Sequence, residues 1–428
     1  MSAFRLDMGN PQALTDIHNS LQQEFSALKS AGLNLDLTRG KPSADQLSLS
    51  NAMDGILQGN YKTASGEDTR NYGGLDGLAE AKAFFAQVLQ VNNDEILIGG
   101  NSSLTLMYET LLFAYLFGLA GEGSAWKNES SIKFLCPVPG YDRHFSICEE
   151  LGIEMVPVAM DSNGPVMDDV EALIKADPAI KGIWCVPRFS NPTGIVYSDE
   201  TVDRIAQLGK IASNNFRVFW DNAYAIHTLE DGAAELAPIM DACRKHGTED
   251  SVLQFGSTSK ITFAGAGLAY MGASPANLAA IKKHLGITSI GPDKINQLRH
   301  LKFFGDQQGL LQHMRKHAEL LKPRFDAVLQ QLDANFAGSD VLSWETPQGG
   351  YFVSVDTQPG LAKKVVALAA ELGVKLTPAG ATFPYGNDPQ DNNIRLAPSF
   401  PTLAEIERAM EAFVLCVKLA TVEKALEQ

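Results

Sequence analysis

The 428-residue sequence predicts an α/β fold: a large domain with a mostly parallel sheet flanked by helices, plus a smaller α+β domain. Three observations predict it. Short apolar, β-branched runs take turns with helical segments between Glu95 and Ser257. From about Asn296 the pattern changes to a long amphipathic helix followed by mixed strands and helices. Apolar runs are followed directly by polar residues, and ligands of open α/β sheets sit at the carboxyl ends of the strands.

Taken in chain order, residues 1–50 show no strand alternation and are expected to pack with the C-terminal part. The runs "EILIGG", "IKFLCPV", "EMVPVAM", "KGIWCVP", "FRVFW" and "SVLQFGS" read as strands of the large domain, assigned to residues 51–310. Between them "YETLLFAYLF", "RHFSICEELG" and "ETVDRIAQLGKIASNN" read as helices. The longest apolar stretch, "TLLFAYLFGLA", is too short to span a bilayer and reads as a buried helix. One long helix is expected over "INQLRHLKFFGDQQGLLQHMRKHAELLKPRFDAVLQQL". The small domain, residues 311–428, then adds the strand "GGYFVSVD", a helix through "LAKKVVALAAELG", the strands "VKLTPA" and "NIRLAPS", and a last helix from Leu403.

Composition narrows the function. With 45% hydrophobic and 20% charged residues the chain is globular, and a net charge of -15 argues against nucleic acid, which rewards a positive surface. Five scattered cysteines without a C-x-x-C pair suggest neither a disulfide framework nor a zinc site, and no metal is expected. The start, "MSAFRLDMGNPQAL", has no apolar run of signal-peptide type, so the expected location is the cytoplasm.

Each strand exit supplies one polar part. Asn101, Ser102 and Ser103 follow the first strand and lead into a helix, whose N-terminal amides favour an anion. Tyr141 follows the second, Asn191 lies before Pro192 after "GIWCVPRFS", Asp221 ends "FRVFW" with Tyr224 three residues on, and Ser257 precedes Lys260. Singly these have structural explanations: helix caps, a turn, an aromatic in the core, a surface cation. Together they supply a phosphate cradle, a stacking ring, an amide, a carboxylate with a phenol, and an amine, the components for holding pyridoxal phosphate.

In that order "GGNSS", "PGYDRHF", "SNPTG", "DNAY", "STSK" and "IRLAPS" resemble the class I aminotransferases of the type I pyridoxal-phosphate fold. "LDLTRGKPS" and "RNYGGLDGL" are similar to a bacterial aspartate aminotransferase subgroup. The resemblance spans nearly the whole chain. It implies pyridoxal 5'-phosphate as cofactor, Lys260 as the amine that binds it and moves the substrate's α-proton, and Asp221 as the anion that keeps the pyridine nitrogen protonated. Asn191 and Tyr224 would hydrogen-bond the ring's phenolic oxygen and Tyr141 would stack on its face. Asn101, Ser102, Ser103 and Ser257 would hold the phosphate, with Tyr72 reaching it from a neighbouring subunit of a homodimer with shared sites.

For the substrate, the resemblance places Arg395 on the α-carboxylate, where a guanidinium can make two parallel hydrogen bonds, and Arg39 and Gly40 in the segment that closes over it. A distal carboxylate needs a further cation. The candidates are Arg39, Lys41, Arg143 and Arg188, of which Arg39 is chosen. The implied reaction carries the amino group of L-aspartate to 2-oxoglutarate in two half-reactions through pyridoxamine phosphate. Aminotransferases for alanine or aromatic amino acids and pyridoxal-phosphate lyases share the cofactor residues and stay open. One departure stands out: the arginine that commonly follows the lysine by eight positions is Leu268 here, which leaves the phosphate's counter-ion unassigned.

Overall fold

A computed structural model describes residues 4–427. In chain order its strands are β1 (Leu35–Asp36), β2 (Ile96–Ile98), β3 (Lys133–Val138), β4 (Glu154–Asp161), β5 (Gly164–Pro165), β6 (Ile180–Cys185) and β7 (Arg217–Asp221). There follow β8 (Val252–Ser257), β9 (Ala269–Ala273), β10 (Leu342–Trp344), β11 (Val353–Thr357), β12 (Val374–Lys375) and β13 (Asn393–Leu396). Eight of them form one sheet in the order β2-β9-β8-β7-β6-β3-β4-β5. Its centre, from β4 through β3, β6 and β7 to β8, is parallel; β9 and the short β5 run antiparallel to their neighbours.

Two-sided burial explains why β3, β6, β7 and β8 read as largely apolar runs. Successive side chains point to opposite faces, so Phe134, Trp184 and Phe219 join one core while Leu135, Ile183 and Val218 join the other. The first core is closed by the helices Ser103–Leu116, Asp142–Glu150 and Pro275–Thr288, the second by Met167–Ala176, Asp199–Ala206 and Ile239–His246. At Gly182 on β6 an added Cβ would lie 2.3 Å from the Phe134 ring, so glycine there lets the neighbouring strand seat its aromatic.

A third core joins the ends of the chain. Leu21 and Phe25 of the helix Pro11–Ser30 pack with Phe325, Val328 and Leu332 of Gln307–Phe336 and with Phe413 and Val417 of Leu403–Leu426. The same core takes Val353 and Val355 from a three-stranded antiparallel sheet, β10-β11-β13. Strand β1 pairs in parallel with β12, tying residues 35–36 to the C-terminal part.

The six strands and the buried helix expected in the large domain are present, as are the last helix and the strands at "GGYFVSVD" and "NIRLAPS". Four details differ. The strand β9 in "LAYMGA" and the short β10 carry too few β-branched residues to stand out. The single long helix is two, Lys294–Phe304 and Gln307–Phe336, because Gly305 takes φ +72° and Asp306 caps the second by accepting from the Gly309 N–H at 2.9 Å. Of "VKLTPA" only Val374–Lys375 is strand, and the helix of "ETVDRIAQLGKIASNN" ends at Ala206. No helix among the described residues is long and apolar enough to cross a membrane.

Candidate active site

The carboxyl ends of the parallel strands open into a cleft of about 780 Å³. Five of the sheet's strands deliver a side chain to it at their exits: Ser102 and Ser103 beyond β2, Tyr141 beyond β3, Asn191 beyond β6, Asp221 at the end of β7, Ser257 at the end of β8, while β4 runs on into the short β5. Lys260 follows in a turn before β9 reverses direction. Residues distant in the sequence converge because parallel strands share one carboxyl end. Thr38, Arg39, Gly40 and Lys41 close the cleft from the N-terminal segment, and Phe352 and Arg395 from the C-terminal sheet.

Asp221 is 2% exposed and its carboxylate is half satisfied. Its Oδ2 lies 2.9 Å from His144 Nε2, whereas Oδ1 is buried with no partner among the described residues. His144 stacks on Trp184 at 4.2 Å and 7°, and meets the Tyr141 ring edge-on at 4.9 Å. An acceptor buried with one oxygen unmet calls for a donor from a ligand. A protonated ring nitrogen supplies that donor, so the residues present fit the ring of pyridoxal phosphate.

Lys260 keeps part of its surface on the cleft, yet protein encloses its amine. Burial, helped by the charge of Arg395 and opposed by Asp221, lowers its ammonium below the usual lysine range. Its Nζ lies 5.4 Å from the centroid of the Tyr224 ring, and burial raises the phenol of Tyr224 well above the tyrosine norm. A lysine biased toward the free amine is the form that attacks an aldehyde.

On the anion side, the Ser102 hydroxyl caps the helix Ser103–Leu116 by accepting from the Thr105 N–H at 3.4 Å. Ser257 donates to Ser259 at 3.1 Å, and both line the cleft beside Ser102 and Ser103. Asn101 is not among the lining residues; its amide donates to the Gly265 carbonyl at 3.3 Å in an adjoining pocket. Leu268 is buried at 2% exposure and exchanges hydrogen bonds with Thr258, its N–H reaching Oγ1 at 2.8 Å and its carbonyl accepting from N at 2.7 Å. The place of the missing arginine therefore braces the lysine turn. Tyr72 is 79% exposed and lies outside the cleft of its own chain.

The substrate side centres on Arg395, paired with Ser354 across β13 and β11. Its Nη1 donates to Asn191 Oδ1 at 3.1 Å and to Asp142 Oδ1 at 3.2 Å, while Nε is buried without a partner among the described residues. The guanidinium lies 4.8 Å from the Phe352 ring. At Gly40 a Cβ would come 2.2 Å from that ring, so glycine allows the N-terminal segment to lie directly on it. Arg39 and Arg143 are exposed on the cleft wall. Lys41 sits over the Phe400 ring at 4.0 Å, and Arg188 is buried elsewhere, donating to the carbonyls of Ala225 and Ala234 at 2.5 and 2.9 Å.

Several residues at or beside the cleft lay outside the sequence candidates, among them Asp142, His144, Ser259, Tyr351 and Phe352. His144 was detectable, since it falls three positions after Tyr141 at the start of a helix and so shares its face. Ser259 could be read from its place beside Lys260. Tyr351, whose ring centroid is 5.6 Å from Lys260 Nζ, had no local signal.

Residues 10–428 match the aspartate amino-transferase family. An aspartate aminotransferase of Corynebacterium glutamicum is 44% identical over 424 residues, covering 99% of this chain and 98% of that protein. The crystal structure of an aspartate transaminase from Corynebacterium glutamicum superposes with a TM-score of 0.94 at 44% identity, over 97% of each chain. An α-aminoadipate aminotransferase of Thermus thermophilus, solved with N-(5'-phosphopyridoxyl)-L-leucine, shares the fold at a TM-score of 0.73 and 21% identity, over 91% of this chain and 93% of that one.

Proposed function

The chain belongs to the aspartate amino-transferase family, and from that membership we propose that its cleft moves the amino group of L-aspartate to 2-oxoglutarate, with Lys260 as the reacting amine. It is a pyridoxal-phosphate-dependent aminotransferase. The observation that carries the residue assignment is the presence, in one cleft, of an amine shifted toward its free form and a buried carboxylate with one oxygen unmet.

When bound, pyridoxal phosphate supplies an aldehyde carbon and a conjugated ring that accepts electrons from the substrate's α-carbon. The protein's residues do the rest. Asp221 Oδ1 would accept a hydrogen bond from the protonated ring nitrogen and keep the proton on it, with His144 fixing the carboxylate through Oδ2. Tyr141 would lie against the ring, and Asn191 and Tyr224 would donate to its phenolic oxygen. Ser102, Ser103, Ser257 and Ser259 would hold the phosphate at the positive end of a helix, with Asn101 supporting them through its bond to the Gly265 carbonyl. Arg395 offers Nε and its terminal nitrogens to the α-carboxylate, which turns the α C–H bond toward Lys260. Lys260, as the free amine, would take that proton at Nζ.

The reaction test is direct. Incubated with L-aspartate alone, the holoenzyme is expected to lose its visible absorbance and release one oxaloacetate per site; release of ammonia or pyruvate would assign a lyase instead.

Arg39 reads the distal carboxylate. Its guanidinium is exposed on the cleft wall, and Gly40 against Phe352 holds the segment beside Arg395. Arg39→Ala is expected to lower kcat/KM for aspartate and glutamate about 30- to 100-fold, the worth of a lost charge-assisted pair, and to spare alanine. A screen of donors against 2-oxoglutarate and pyruvate checks this, and equal losses for all donors would give Arg39 another role.

We further propose a homodimer in the cytoplasm. Tyr72, 79% exposed in the segment before the helix Ala79–Leu89, would reach a neighbouring subunit's phosphate, and five free, buried cysteines suit a reducing compartment.

A further inference from the structure

Lys260 has a second phenol at its side. Its Nζ is 5.6 Å from the Tyr351 ring centroid, nearly the same distance as from Tyr224, and the two rings are 5.9 Å apart at 34°. The Tyr351 hydroxyl accepts from Gln46 Nε2 at 3.0 Å. The same amide nitrogen lies 3.1 Å from His317 Nδ1, and His317 Nε2 lies 2.8 Å from the carbonyl of Ile261, next in sequence to Lys260. One tautomer satisfies the whole chain of contacts: Nε2–H donates to the carbonyl and Nδ1 accepts the second amide proton of Gln46. Burial first, then His313, presses His317 down to about 4, which keeps that tautomer neutral. His313 Nε2 meets the same carbonyl at 2.6 Å, and Gln46 Oε1 accepts from the Ser43 N–H at 3.2 Å.

The lysine turn is thus held twice, by its main chain through two imidazoles and by its side chain through a phenol. We propose that Tyr351 is a positioning residue for Lys260, fixed by Gln46 and His317, which keeps the free amine between two aromatic rings during proton transfer. The inference rests on the reading of Lys260 given above. Aromatic faces attract an ammonium and so favour the lysine's protonated form in transit, against the desolvation that disfavours it. The other groups facing the amine are Asp221, Arg395, and the phenols of Tyr141 and Tyr224; His227, pressed down to about 3 by burial first and then by the Lys260 charge, adds none of its own.

The test compares Tyr351→Leu, Tyr351→Phe and Gln46→Leu as holoenzymes, each checked for cofactor content and melting temperature. Three readings are taken: kcat and KM with aspartate, exchange of the aspartate α-proton into D2O, and the pH titration of the bound cofactor's visible band. Tyr351→Leu is expected to slow kcat and exchange about tenfold or more, with KM within about twofold and a displaced titration midpoint. Tyr351→Phe, which keeps the ring, is expected to restore most of the rate, and Gln46→Leu to lose about threefold. Wild-type exchange and titration in Tyr351→Leu would overturn the proposal. Should that variant not fold, wild-type values in both Tyr351→Phe and Gln46→Leu would overturn it. Failure of the underlying reading is distinguishable, because the cofactor-loaded Lys260→Ala variant would then still exchange the aspartate α-proton.

Discussion

Asp221→Asn lowers kcat by about a thousandfold and leaves the fold intact, the loss expected when one preorganised charge at a reacting centre is removed. Asparagine has the shape of aspartate and can still meet His144, which stays stacked on Trp184. What it lacks is the negative charge at Oδ1, the oxygen that has no protein partner among the described residues. Without that charge the ring nitrogen gives up its proton, and the electrons released at the substrate α-carbon have no positive centre to move toward. Single-turnover rates with aspartate, beside a melting curve, check the prediction. A loss below about tenfold would mean that Asp221 acts through His144 as a structural pair.

Lys260→Ala has the larger effect, a loss of about ten-thousandfold or more, because one side chain both binds the cofactor and carries the proton. The pH dependence follows from its environment. Burial lowers the ammonium, so the free amine is present below the ordinary lysine range, and activity resting on it persists as pH falls until that lowered value is crossed. Lys260→Arg keeps a charge and similar reach but stays protonated, and is expected to fail as completely as alanine. Rates of α-proton exchange in D2O separate the two roles: an alanine variant that takes up cofactor but exchanges no proton has lost the carrier.

How much of this was legible in the sequence depends on the range of the interactions involved. Strands buried on both faces announce themselves, as Phe134 with Leu135 and Trp184 with Ile183 do, because apolar residues fill both faces of β3 and β6, interrupted only by Lys133 and Lys181. Strand β9 did not, since "AYMGA" carries no β-branched residue. The division of the long helix at Gly305 hangs on one positive φ and one Asp306 cap inside an otherwise continuous amphipathic pattern. At the cleft, each strand-exit residue could be read locally because the sheet's topology brings all such exits to one end. Tyr351 and Gln46 could not. They are 305 residues apart, and only the packing of the C-terminal core places them together under the lysine turn. Leu268 marked a departure that sequence could register without explaining; its backbone exchange with Thr258 supplies the structural half of the explanation.

The position of the reacting amine is the claim on which the other assignments depend. Reduction of the holoenzyme with borohydride, followed by proteolysis and mass mapping, tests it most directly. The expected result is a phosphopyridoxyl mass on the peptide containing Lys260 and on no other. A tag on a different lysine, or none in protein shown to contain the cofactor, would contradict the account.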